Sequence, residues 1–207
     1  MRMLCGLLLL FALAAPAAAR DFVVTVRDPA GQPVQNAVVT LNTPGAPPPA
    51  SRLAGPFAVA QQGLQFHPFV LVAPVGASVQ FPNKDKVRHH VYSFSGAKTF
   101  QLKLYGRDET RSVVFDKAGV VALGCNIHDQ MLAFIYVADT PYAAKTDAAG
   151  RAVLDDVPAG AARLTVWHPF AKAKDGRLVS QVAVPAAGGA QSVSLDVRPA
   201  PASMQMH

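Results

Sequence analysis

Hydrophobic positions along this chain alternate over short runs, and turn-forming residues separate the runs. Phe22, Val24 and Val26 interleave with Val23, Thr25 and Arg27, the period of two expected of a strand with one buried face. Asp28-Pro29-Ala30-Gly31 reads as a turn, because Pro presets φ and Gly accepts a positive φ. Val38-Val39-Thr40-Leu41 follows as a second strand, and Pro44-Gly45-Ala46-Pro47-Pro48-Pro49 reads as a stiff linker with no hydrogen-bonding ladder. Between Phe57 and Ala138 the pattern predicts strands over 70–72, 78–81, 91–94, 100–104, 112–115, 120–123 and 132–137. Turn signals at Pro82-Asn83-Lys84-Asp85 and Asp116-Lys117-Ala118-Gly119 separate them. Beyond Pro141 the opening pattern returns, with turns at 146–151 and 157–160 and strands at 153–154 and 164–167. Short Val-rich runs, 15 Gly and 17 Pro favour an all-β sandwich architecture over helices.

The two ends have other roles. Met1-Arg2-Met3, the apolar run Leu4 to Ala14 and Pro16-Ala17-Ala18-Ala19 form a secretory signal peptide over residues 1–19, cut after Ala19, which predicts a periplasmic protein. The apolar run is too short for a membrane span, no later segment is long enough, and Cys5 is expected to leave with the signal. Residues 200–207 read as a disordered tail, in which Met204, Met206 and His207 offer donors to a soft metal ion. The formal charge is +6, or +5 without Arg2, and the basic residues are scattered. No aromatic-interleaved basic stripe suggests nucleic acid; the charge suits docking of an acidic redox partner by a monomer, or simply solubility.

Removing residues 1–19 leaves one cysteine, Cys125, in Gly124-Cys125-Asn126-Ile127-His128-Asp129-Gln130-Met131, with the pair His89-His90 upstream. One cysteine excludes an intramolecular disulfide and a Cys-rich zinc site, and an unpaired thiol in an oxidising compartment is a liability unless it has a task. Soft sulfur with imidazole suits copper, and a trigonal His₂Cys set with a weak axial Met is the ligand group of blue-copper electron-transfer sites. Strand-like residues 120–123 and 132–137 would clamp a short loop carrying Cys125, His128 and Met131, with the second imidazole delivered from a facing strand start. Alternation along a strand sends adjacent histidines to opposite faces, so His89 and His90 would not share one ion without a bulge. His67 and His168 each adjoin a proline-containing turn and read as structural or exposed residues.

Two resemblances sharpen this reading. Residues 57–138 resemble a cupredoxin, the Greek-key β-sandwich family of plastocyanin and amicyanin. The Cys-x-x-His-x-x-Met spacing at Cys125, His128 and Met131 is similar to the short amicyanin loop, and Val87-Arg88-His89-His90-Val91 is similar to the family's upstream "P-H-N-V" sequence. The resemblance implies one type 1 copper ion on His89, Cys125, His128 and Met131. His90 then stands where the family has an Asn that ties the ligand loops together, as a supporting residue or alternative ligand. It also implies an apolar docking patch around His128. The opening at 28–38 and the stretches beyond 145 resemble carboxypeptidase-regulatory-like or transthyretin-like modules, which implies a second Ig/transthyretin-like sandwich made of residues 20–44 and 139–199. The whole chain is similar to plastocyanin-like proteins of the methylamine-utilisation type.

The expected function is one-electron transfer in the periplasm with a redox protein partner. The alternative is copper handling, as a chaperone or store using the tail and surface histidines. A β module merely stabilised by its metal is a third. An enzyme is not expected: there is no Ser/His/Asp arrangement, phosphate-cradling Gly loop or paired catalytic carboxylates, and four protein ligands leave little room for substrate.

Overall fold

The computed structural model describes residues 20–199; residues 1–19, expected to be a signal peptide and containing Cys5, and the tail with Met204, Met206 and His207 lie outside the described residues. The fold is all-β, with seventeen strands and two short 3₁₀ turns among the described residues. In chain order the strands are β1 (Arg20–Arg27), β2 (Val38–Asn42), β3 (Phe57–Ala58), β4 (Ala60–Gln62), β5 (Gln65–His67) and β6 (Val70–Pro74). Then come β7 (Ala77–Pro82), β8 (His89–Ser95), β9 (Lys98–Tyr105), β10 (Thr110–Phe115), β11 (Gly119–Cys125) and β12 (Leu132–Ala138). The last five are β13 (Tyr142–Lys145), β14 (Arg151–Val157), β15 (Gly160–Trp167), β16 (Arg177–Val184) and β17 (Gly189–Ser194).

The first and last stretches of the chain share one core. β1 lies between β14, antiparallel, and β17, parallel, while a second sheet runs β13-β2-β15-β16. Phe22, Val24 and Val26 turn inward from β1 and meet Val39, Leu41, Leu154, Leu164 and Val166. The Thr146 hydroxyl donates to Val34 O at 2.7 Å and accepts from Ala37 N–H at 2.9 Å, satisfying two buried backbone groups of the β1–β2 connection.

Residues 57–137 build a second core between a five-stranded sheet, β6-β12-β11-β8-β9, and a three-stranded one, β10-β7-β3. The hairpin β4–β5 closes one end; its tip residues Gly63 and Leu64 both take positive φ, 65° and 58°. Where the two cores meet, Trp167 packs edge-on against Phe134 at 5.8 Å between centroids and lies 5.7 Å from Tyr136, with Val38 and Val70 beside it. This seam explains why four consecutive residues of β2 are buried despite the period of two: Val39 and Leu41 face the first core, and Val38 faces the seam. On the five-stranded sheet the seam covers β6 and β12, leaving the outer faces of β8 and β9 open.

Candidate metal centre

Two strands of the five-stranded sheet bring the candidate residues together. β8 alternates along its length, with His89, Val91 and Ser93 turned inward and buried. β11 runs antiparallel to it, with Cys125 opposite Val91, so the thiol points into the same layer as His89. The loop after Cys125 is fixed by three backbone hydrogen bonds. Asn126 N–H donates to His90 O at 3.1 Å, His128 N–H to Cys125 O at 3.4 Å, and Met131 N–H to His128 O at 3.0 Å. β12 leaves immediately afterwards, so the loop cannot drift.

Cys125 Sγ consequently lies 3.7 Å from His89 Nδ1 and 3.5 Å from His128 Nδ1, and the three donor atoms all fall within 4.8 Å of one another. Cys125 and His89 are buried, and His128 is partly exposed. Met131 is buried in the same apolar cluster as Cys125, alongside Leu123 and Val91. The set fits a soft transition metal. These separations are short enough for one ion to reach all three donors at ordinary metal–sulfur and metal–nitrogen bond lengths.

The proton on His89 is assigned by its neighbour. Asp85 Oδ2 lies 2.9 Å from His89 Nε2, and a carboxylate only accepts, so Nε2 carries the hydrogen and Nδ1 presents its lone pair toward Cys125. Asp85 also accepts from Gly63 N–H at 2.7 Å and Leu64 N–H at 3.1 Å, which ties the left-handed hairpin tip to the imidazole. Burial pushes the Asp85 carboxyl upward. The hydrogen bonds from Leu64, His89 and Gly63 outweigh it and hold the group below its ordinary value, so it stays ionised.

A second polar network supports the loop leading into His89. Asn83, buried, donates to Val87 O at 2.9 Å and Tyr105 O at 3.1 Å and accepts from Asp85 N–H at 2.9 Å. Tyr105 is paired in register with His89 and donates its hydroxyl to Gln61 Oε1 at 2.6 Å. Burial pushes its phenol far above the usual range, so it remains neutral. Local pattern reads residues 82–85 as a turn; the position of Asp85 four residues before His89 is the one sign of its role. Gln61 and Tyr105 leave no such sign.

His90 points away from the donor cluster, to the outer face of the sheet, with its ring edge-on to Tyr92 at 6.5 Å. The irregular register at this place adds its extra residue to β9, between Leu102 and Tyr105, so alternation in β8 survives. The loop after Cys125 is joined to β8 through the His90 carbonyl, not its side chain. His168 accepts from Phe170 N–H through Nδ1, and His67 bonds to Gln62 O; neither lies in the cluster. Beside His128, Ile127 is 49% exposed, and Val87, two residues before His89, is 44% exposed.

No family model matches the chain, and no curated protein matches it. Solved structures match part of it. A purple cupredoxin from Nitrosopumilus maritimus is 21% identical over 40% of this chain and 100% of its own, with a TM-score of 0.37. A mutant of amicyanin in its reduced Cu(I) form is 19% identical over 48% of this chain and 98% of its own, with a TM-score of 0.38. A copper-containing nitrite reductase from Thermus scotoductus SA-01 is 29% identical over 56% of this chain and 28% of its own, with a TM-score of 0.39. No helix of the described residues is long and apolar enough to cross a membrane.

Proposed function

We propose that this chain is a type 1 copper protein of the periplasm that carries single electrons to or from a redox protein. The observation that carries the reading is the convergence of one buried thiol and two imidazole Nδ1 atoms within 4.8 Å, on two strands and one clamped loop. His89, Cys125 and His128 would hold the ion, and the buried Met131, in the same cluster as Cys125, would supply a further soft donor. Copper supplies a one-electron couple when bound. The protein holds His89 in one tautomer through Asp85, excludes water around Cys125 with Leu123, Val91 and Met131, and fixes the loop through backbone hydrogen bonds. Such rigidity suits electron transfer, since a site unable to rearrange has little to reorganise as the charge changes.

Export to the periplasm rests on the signal-peptide pattern of residues 1–19. The experiment is voltammetry of the copper-loaded protein. A reversible one-electron wave that disappears in Cys125→Ser supports the reading; a redox-silent protein, or a wave unchanged by the substitution, overturns it. Copper handling would instead show rapid surrender of the metal to a chelator.

A further inference from the structure

The outer face of β8 carries three aromatic rings in a row. His90, Tyr92 and Phe94 alternate with the buried His89, Val91 and Ser93, and successive ring centroids lie 6.5 and 5.3 Å apart. Phe94 is 68% exposed, the most open of the large hydrophobic residues described. A β-strand has no packing reason to show such a row to water, and the seam that covers β12 on this same sheet stops short of it.

The row also reaches the site. Tyr92 is paired with Gly124, and its ring lies over that glycine so closely that a Cβ there would stand 2.8 Å from the ring carbon Cζ. Gly124 is bonded directly to Cys125. Absence of a side chain at 124 therefore lets a partly buried phenol ring rest one residue from the thiol, on the side of the sheet opposite the buried imidazole. This route is separate from the edge at His128 and Ile127.

The rim of the row is basic. The extra residue of β9 leaves Lys103 and Leu104 both exposed opposite His90, Arg88 precedes the row, and Lys117 donates to Gly96 O just beyond Phe94. Among the described residues no carboxylate pairs with Arg88, Lys103 or Lys117. Of the acidic groups nearby, Asp116 is already held by Lys98 at 2.8 Å, and Glu109, within electrostatic reach of Arg88, is held by Arg111 at 2.8 Å.

We propose that the Tyr92–Phe94 face is the docking surface for an acidic one-electron redox protein, and that Tyr92 over Gly124 is the contact through which the electron reaches or leaves Cys125. This rests on the copper reading above. The step transfers one electron: the copper centre gains it and the partner's one-electron centre loses it, or the reverse, with no bond made and no proton moved. An apolar centre with a basic rim steers an acidic partner and excludes water beneath it.

The probe is an acidic plant-type [2Fe–2S] ferredoxin, used in two measurements on the full mature chain. In the first, ¹⁵N-labelled metal-free protein is titrated with oxidised ferredoxin at low salt. Amide signals of Tyr92, Phe94 and Lys103 should shift or broaden; changes confined to Ile127 and His128, or none, overturn the proposal whether or not copper binds. In the second, the reduced ferredoxin is mixed with the copper-loaded protein. Phe94→Ser with Lys103→Glu should slow the second-order rate by about tenfold or more at low salt, with the copper spectrum unchanged. A rate within twofold of the parent, with a large fall in Ile127→Ser instead, places the exchange at the His128 edge and overturns it.

Discussion

Replacing Asp85 tests how the site is held. Its carboxylate receives Gly63 N–H, Leu64 N–H and His89 Nε2–H, at 2.7, 3.1 and 2.9 Å. In Asp85→Ala the two backbone donors stand at an exposed hairpin tip and turn to water at little cost. His89 is fully buried, so its Nε2–H is left without a partner. Stranding one such donor costs about 1–3 kcal/mol, and losing a charge-assisted bond lies toward the upper end of that range. The cost is therefore about 1–3 kcal/mol. With a urea slope of about 2 kcal/mol/M, the unfolding midpoint of the metal-free protein should fall by about 0.5–1.5 M. Freed of its anchor, His89 should also hold metal about 10- to 100-fold more weakly in a chelator competition. Asp85→Asn should fall between the two, since its amide oxygen can still accept from His89. A midpoint within about 0.2 M of the parent, together with unchanged metal affinity, would refute the claim that Asp85 positions His89.

Four further substitutions follow from the structure. Burial pushes the His168 imidazole down to about 4 from an ordinary 6.5. Below pH 6.5 the unfolded chain takes up a proton that the folded chain refuses, so the protein is most stable above that value and loses up to about 3 kcal/mol as pH falls toward 4. His168→Gln should flatten the profile of stability against pH over that window, and a profile as steep as the parent's would count against it. Thr146→Val strands Val34 O and Ala37 N–H inside the first core and should cost about 2 kcal/mol or more in urea unfolding; a neutral result would mean that water reaches them. His128→Ala should abolish intense copper colour while His90→Ala keeps it, because of these two only His128 presents Nδ1 to the thiol; the opposite pattern would exchange their roles.

Much of this architecture was legible along the chain, for physical reasons. The alternation of Phe22, Val24 and Val26, and of the residues at 120–123 and 132–137, reports burial on one face directly, and these three strands end within two residues of where they are expected. The donor loop was legible because Cys125, His128 and Met131 are close in sequence. What the pattern hid depends on pairing between strands. Asp85 looks like a turn residue until β4–β5 brings its tip to it. Gln61 and Tyr105 are polar core residues whose partners lie 44 positions apart. The place of Tyr92 over Gly124 follows from the register of β8 and β11, which no local period encodes. His90 shows a limit of alignment, since the join between the two loops runs through its backbone carbonyl, which any residue type would supply.

The most direct test of the central claim is the visible absorption and electron paramagnetic resonance of the purified mature protein after one equivalent of Cu(II). The account predicts intense thiolate-to-copper colour with narrow copper hyperfine splitting, both lost in Cys125→Ser. A pale protein with wide hyperfine splitting would show that Cys125 does not bind the ion, and would contradict it.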